Sequence, residues 1–253
     1  MKQCAETLDP LAPVEKVPLV TQDGMTKSSR YAVMLDPQGI NREVGIVSEG
    51  YQLVPNDVVH GTALEVLHRA SMKCEEGGLI FDGKRYRQRW ILPGLEVQPK
   101  PGDVVRLTLD AVNSYDGSTL FGLAFNATRL VCSNGLMVDF LLGGFKFKHY
   151  GGNGTFEHEL QQAARRVTSL AAFLPPLTDR LKSLVDRPMH RQHIQQAFKD
   201  LQLPRSIQAD AFMAIDESTA WGFLNGCTDV LTRLNTHRAD NLNRQIVRHL
   251  FAA

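Results

Sequence analysis

Three observations predict an α+β fold, an antiparallel β-sheet half followed by a helical half. Residues Val104–Val112 alternate apolar and polar side chains over the length of a strand. Glycine-bearing turn dipeptides punctuate the first 150 residues. After Gly151-Gly152-Asn153-Gly154, apolar residues recur at helical spacing to the C-terminus. The 253 residues suit one large domain or two modest ones. We divide them into an extended N-terminal arm (1–29), an α+β antiparallel-sheet core (30–150) and a helical region (151–253).

The arm is rich in Pro, Gln, Thr and Ser, a composition that buries little and favours partial disorder. Tyr31–Leu35 and Arg42–Val47 flank Asp36-Pro37-Gln38-Gly39, which predicts a hairpin. Val58, Val59, Thr62, Ala63, Val66 and Leu67 then define one face of a helix ending near Ala70, with Asn56 or Asp57 able to cap it. Leu79–Phe81 and Arg85–Leu92 bracket Asp82-Gly83, a hairpin turn. In the strand 104–112, Val105, Leu107, Leu109 and Ala111 face one way and Arg106, Thr108 and Asp110 the other, so one face should be wet. Thr119–Val131 returns beside it, and Phe145–Tyr150 is a last short strand. Helices are expected over Thr155–Leu174, Pro176–Val185, Pro188–Leu201, Ser206–Ile215, Thr219–Leu234 and Asn241–Phe251, with Trp221, Leu224, Thr228, Leu231 and Leu234 as a buried stripe.

Charge excludes little. The chain has 28 basic and 27 acidic residues. Residues 1–144 sum to −3 and 145–253 to +4, a weak lean toward anions in the second half. No apolar run reaches the ~20 residues of a membrane helix, and Met1–Val20 lacks the apolar core of a signal peptide. Cys4, Cys74, Cys132 and Cys227 form no close pair, which fits a reducing cytoplasm.

Catalytic signatures are sparse. Gly78–Lys84 has the G-x4-G-K spacing of a phosphate loop, but Arg85 stands where Ser or Thr should hold magnesium, and the flanks read as strands. His190 and His193 share a helix face without a third ligand. There is no nucleophile elbow, no H-E-x-x-H and no carboxylate pair. We assign no catalytic residue, no metal and no cofactor, and catalysis is disfavoured. Asp110, Asp116, Asp139 and His149 could converge on a magnesium ion only through the fold.

The richest local feature is Lys84-Arg-Tyr-Arg-Gln-Arg-Trp90. On a strand, Arg85, Arg87 and Arg89 form one row about 7 Å apart, near the phosphate spacing of a single nucleic-acid strand. Arginine grips phosphate and stacks on bases. Lys84, Arg106, Arg129, Lys146 and Lys148 could widen the row into a groove. The alternative is a solvated outer face with Tyr86 and Trp90 packed inward.

Asn113-Ser-Tyr-Asp116-Gly117-Ser118, followed by Arg129-Leu-Val-Cys132-Ser-Asn134-Gly135-Leu136, resembles the phage- and plasmid-like proteins grouped as domain-of-unknown-function family 932. Val47–Pro55 is similar to the family's upstream motif and Thr219–Asn225 to its downstream one. The resemblance implies a mobile genetic element and no established activity. Turn and cap chemistry accounts for Asn113, Asp116, Gly117, Ser118, Asn134 and Gly135, and Cys132 reads as a small core residue.

The function expected is nucleic-acid binding, most concretely single-stranded DNA binding or annealing in phage or plasmid recombination or replication. The order hairpin, helix, meander, helix is similar to the core of ring-forming annealing proteins, so a homo-oligomeric ring or filament is a possible partner state. No membrane partner is expected. The alternatives are a protein-binding accessory or counter-defence factor, which an exposed apolar patch on the helices would favour, and, last, a metal-dependent nucleic-acid enzyme.

Overall fold

The computed structural model describes residues 8–20, 27–119, 121–129, 134–136, 144–146, 156–234 and 236–252. It is α+β as expected, with two antiparallel sheets before a helical half.

The first sheet has the order β1-β2-β3, from Val14–Val20, Lys27–Leu35 and Arg42–Ser48. The β2–β3 hairpin lies where the sequence placed it. Its turn is closed by left-handed Asp36 (φ 49°) and Asn41 (φ 50°), residue types that tolerate that region, while the Asp36 carboxylate accepts from the Ile40 N–H. β1 is a correction to the arm. Val14–Val20 pairs with β2 from Val14↔Leu35 to Val20↔Lys27 and so is ordered strand.

Helix α1 (Asn56–Arg69) follows, starting after Pro55 with no side-chain cap. Asn56 instead donates to the Pro10 carbonyl. The second sheet has the order β4-β5-β6-β7-β8, from Glu75–Phe81, Arg85–Lys100, Asp103–Ser114, Gly122–Arg129 and Asn134–Leu136, with β9 (Gly144–Lys146) pairing the other half of β7. Asp82-Gly83 turns β4 into β5, with Gly83 at φ 91°, and so Gly78–Lys84 is strand, turn, strand and no phosphate loop. β5 is longer than its sequence run suggested. It continues past Pro93 and left-handed Gly94 (φ 86°) through a register shift between Ile91 and Glu96.

Helices α2 (Phe156–Ser169), a 3₁₀ turn (Leu170–Phe173), α3 (Leu174–Asp186), α4 (Arg191–Asp200), α5 (Arg205–Ala214), α6 (Ala220–Leu234) and α7 (His237–Ala252) complete the chain, each within a few residues of its expected span. One large core joins the second sheet to α1 and the helical half. A small one (Val33, Leu35, Val44, Val47, Tyr51, Tyr115) sits under the first sheet. The consequence for function lies in β6. Val105, Leu107, Leu109 and Ala111 are fully buried as expected, but Thr108 and Asp110 on the opposite face are fully buried too. The sheet has no wet face there, because elements of the helical half cover it.

Candidate nucleic-acid interface

Register decides which basic side chains can meet. Directly opposed residues of an antiparallel pair share a face. Arg89 stands opposite Asp110, and Arg87 opposite Val112, so both lie on the face that Asp110, Thr108 and Arg106 share. Arg129 opposes Val105, on the other face. The arginines expected to form one groove are therefore divided between two sides of the sheet. β9 sets Lys146 opposite Gly122, and Lys148 lies outside the described residues.

Their partners complete the correction. Arg89 is 8% exposed and grips Asp110 with both ends of its fork, Nε to Oδ1 and a terminal nitrogen to Oδ2, each at 2.7 Å. Asn126 donates to the same carboxylate at 3.1 Å. Burial alone would raise the Asp110 carboxyl and depress Arg89; their mutual attraction outweighs it, holding Asp110 below and Arg89 above their ordinary values. Arg87 is equally buried and pairs with Asp240 on α7. Arg129 clasps buried Asp103 at 2.5 and 2.8 Å. Arg106 bonds Glu96 at 2.7 Å. Among the described residues Lys84 is exposed, Arg85 is half-exposed and donates to the Ser118 hydroxyl at 2.9 Å, and Arg106 is likewise half-exposed on Glu96. Among the described residues no trough of guanidinium groups faces water: a buried cation needs a buried anion, and the carboxylates paired with Arg87, Arg89 and Arg129 come from sequence positions 21 to 153 residues away.

The motif residues meet in pairs instead. Tyr51, from the upstream motif, donates its hydroxyl to the Ser114 carbonyl at 2.8 Å. Asn113 donates to the Val54 carbonyl and to Asn56 Oδ1, both at 2.9 Å. The buried Tyr115 hydroxyl accepts from the Asn56 N–H at 3.1 Å. Asp116 Oδ1 takes the Ser118 N–H, and Gly117 adopts φ 76°. Together these bonds tie the first sheet and α1 to the end of the second sheet. Gly45 on β3 approaches so near that an added Cβ would lie 2.5 Å from the Tyr115 carbonyl oxygen. Gly45→Ala is accordingly expected to cost about 1–3 kcal/mol through forced separation of the sheets, read as a lower urea midpoint. A midpoint unchanged from the parent would contradict this junction.

The downstream motif meets the central one at a second junction. Trp221 Nε1 donates to Asp103 Oδ2 at 2.9 Å, beside the Asp103–Arg129 pair. Arg129, the first residue of the central segment, lies with its guanidinium carbon 5.9 Å from the Trp221 ring centroid. Asn134 and Gly135 pair in β8 with Arg129 and Thr128, and Cys132 lies outside the described residues. Asp103 and Asp240, each anchoring an arginine, escaped the sequence reading. Asp103 follows Pro101-Gly102 and reads as a turn residue, and Asp240 as a first-turn helix acid.

Carboxylate chemistry finds no constellation either. Asp110 is spent on Arg89, Asp116 on its own turn, and Asp139 and His149 lie outside the described residues. Among the described residues no three His, Cys, Asp or Glu side chains gather to hold a metal. Cys227 is fully buried and its thiol is pushed up to about 12 by burial, which suppresses the reactive thiolate.

What is open on the surface is apolar. Between α5 and the α6–α7 corner runs a hollow of about 370 Å³ edged by Pro204, Ile207, Asp210, Val230, Leu234 and Leu242. It adjoins a second of about 450 Å³ that adds Met213 and Ala214 and shares Asp210, Val230 and Leu234. Met213 is 84% exposed and Leu234 49%, two large apolar side chains in water at the edge of these hollows. Leu234 thus departs from the buried stripe, whose other members Trp221, Leu224, Thr228 and Leu231 are all at most 2% exposed.

A family model described as a domain of unknown function (DUF932) matches residues 43–251. No curated protein and no solved structure matches the chain. The match begins in β3 and ends in α7, so it takes in both junctions and the apolar groove.

Proposed function

Since the chain belongs to the DUF932 family, whose name assigns no activity, we propose that it is a non-catalytic binding protein that holds a protein partner on its helical half. The observation that carries this is the groove of α5, α6 and α7, where Met213 and Leu234 stand in water at two adjoining hollows. The partner is an amphipathic helix, the shape that fills a groove between helices with residues at i, i+3 or i+4, and i+7. Asp210 borders both hollows and Arg238 borders the first; neither has an ionic partner among the described residues. A helix with an apolar ridge, a cation set toward Asp210 and a carboxylate toward Arg238 complements them. The phage or plasmid setting, and work in a bacterial cytoplasm as an accessory or counter-defence factor, belong to the same proposal.

A photo-crosslinking residue placed at Met213 tests it in cells. The expected product is a protein adduct that survives nuclease, whose captured segment reads as an amphipathic helix, and that is missing when the same group replaces exposed Arg180 on α3. Leu234→Asp should reduce the adduct about tenfold or more, the size of a hot-spot loss, with unfolding midpoint unchanged. Equal adducts from both positions, or none, overturn the groove. A second copy of the chain as the captured segment would make the groove a self-association site.

A second reading, single-stranded DNA binding or annealing, is supported by the element order: hairpin β2–β3, helix α1, antiparallel meander, helix α2. Its contacts would be Lys84 and Arg85, since Arg87, Arg89 and Arg129 are committed to carboxylates. Titration of a labelled oligonucleotide at low salt separates the readings: affinity that falls on Lys84→Ala with Arg85→Ala supports this one, and no affinity removes it.

A further inference from the structure

The Arg87–Asp240 contact leaves something over. Arg87 is 91% buried by its 9% side-chain exposure, yet its Nε–H has no hydrogen-bond acceptor among the described residues. A buried donor without a partner is costly and rare. Beside it is a pocket of about 30 Å³, lined by Arg87 and Arg89 from β5, Leu231 and Thr232 from α6, and Ala239, Asp240 and Asn243 from α7. That is room for about two water molecules.

The charges around it are unevenly shared. Both Asp110 oxygens are engaged by Arg89. Arg87 is left with Asp240, whose side chain is 16% exposed and so partly hydrated. Burial and the neighbouring Arg89 cation depress Arg87 despite both carboxylates, whereas Arg89 is raised. The positive charge at Arg87 is therefore the less compensated of the two. The pocket also opens against the first turn of α7, the positive end of a 16-residue helix.

We propose that this pocket is a binding site for one small monatomic anion of halide size, which accepts the Arg87 Nε–H and shares Arg87 with Asp240. The ion satisfies the orphan donor without displacing α7. The site adjoins the apolar groove, with Ala239 lining both, but its donor and charges are its own, and it stands whether or not a partner binds in the groove.

Bromide is the probe, because it scatters anomalously and substitutes for chloride. Crystals of the full chain soaked in bromide should show an anomalous peak within hydrogen-bonding reach of Arg87 Nε. In solution, chloride should raise the unfolding temperature over gluconate at equal ionic strength, by a saturable increment. Asp240→Asn, which removes the competing carboxylate, should enlarge that increment, an effect no merely structural role of Asp240 produces. Arg87→Gln should abolish both signals. Should that variant fail to fold, Ala239→Leu fills the pocket, leaves every charge in place, and should lose the peak. Water alone in the pocket at saturating bromide overturns the proposal. So does a peak confined to Asp240→Asn, since the carboxylate would then fill the site in the protein as it exists.

Discussion

Arg89→Ala should destabilise the protein by about 3–5 kcal/mol, the cost of leaving one member of a buried ion pair alone. The partner left behind is Asp110, whose side chain is 1% exposed and which would keep the Asn126 amide and the more distant charges of Arg87 and Arg244 but lose its bidentate clasp. The measurement is urea unfolding, where a lower midpoint at constant m isolates stability from a change in denatured-state compactness. The paired replacement Arg89→Met with Asp110→Leu should recover most of the loss, because two apolar side chains leave no uncompensated charge in the same space. Lys84→Ala, at the exposed end of the same segment, should stay within about 0.5 kcal/mol. A small effect at Arg89 would mean that it is solvated, and would return it to the list of candidate ligands. The pH dependence follows from the sign of the shift. Asp110 is held below its unfolded value, so its contribution is complete above about pH 4, the ordinary carboxylate range, and is lost as pH falls through the lower folded value. Acid should therefore weaken the parent more than the Met–Leu variant.

The contrast between Arg89 and Lys84 marks where the sequence was legible. Period-two alternation located β6 and separated its two faces correctly, since Val105, Leu107, Leu109 and Ala111 are all at 0% exposure. It could not say that the polar face is also covered, because alternation reports side-chain chemistry and not what packs above it. A strand carrying Arg, Thr and Asp on one face is read as wet unless the matching anions are known. Asp110 was visible, but its register opposite Arg89 depends on the β5–β6 pairing. Asp240 sits 153 residues beyond Arg87, on an element whose docking no local pattern encodes. β1 was missed for a related reason. Its apolar residues are poorly covered, Val17 36% and Val20 54% exposed, which marks an edge strand whose order comes from β2 and not from burial. The helices were legible because amphipathic spacing is local. The groove was not, since Leu234 continues the α6 stripe in sequence yet is 49% exposed in the fold.

The second large effect is expected at Asp103. Burial would raise this carboxyl, but hydrogen bonds from Arg129 and Trp221 outweigh it and hold it below the ordinary carboxylate range. Asp103→Ala removes the acceptor for both donors at once, leaving Arg129, 9% exposed, and the Trp221 indole N–H, 1% exposed, without it. The expected loss is about 3–5 kcal/mol. Asp103→Asn keeps an acceptor oxygen but discards the charge, so it should fall between alanine and the parent. In a Trp90→Phe background Trp221 is the remaining tryptophan, and its fluorescence should shift to the red on Asp103→Ala as the N-terminus of α6 loosens. An unmoved spectrum together with an unchanged midpoint would refute the clasp. This junction also bears on the proposed function, because α6 runs from Trp221, fixed against the sheet, to Leu234 at the groove. Asp103→Ala should lower partner capture at Met213 only in step with the folded fraction. Leu234→Asp, at the far end of the same helix, should lower it with the folded fraction intact. That divergence separates a residue that holds the helix from one that meets the partner.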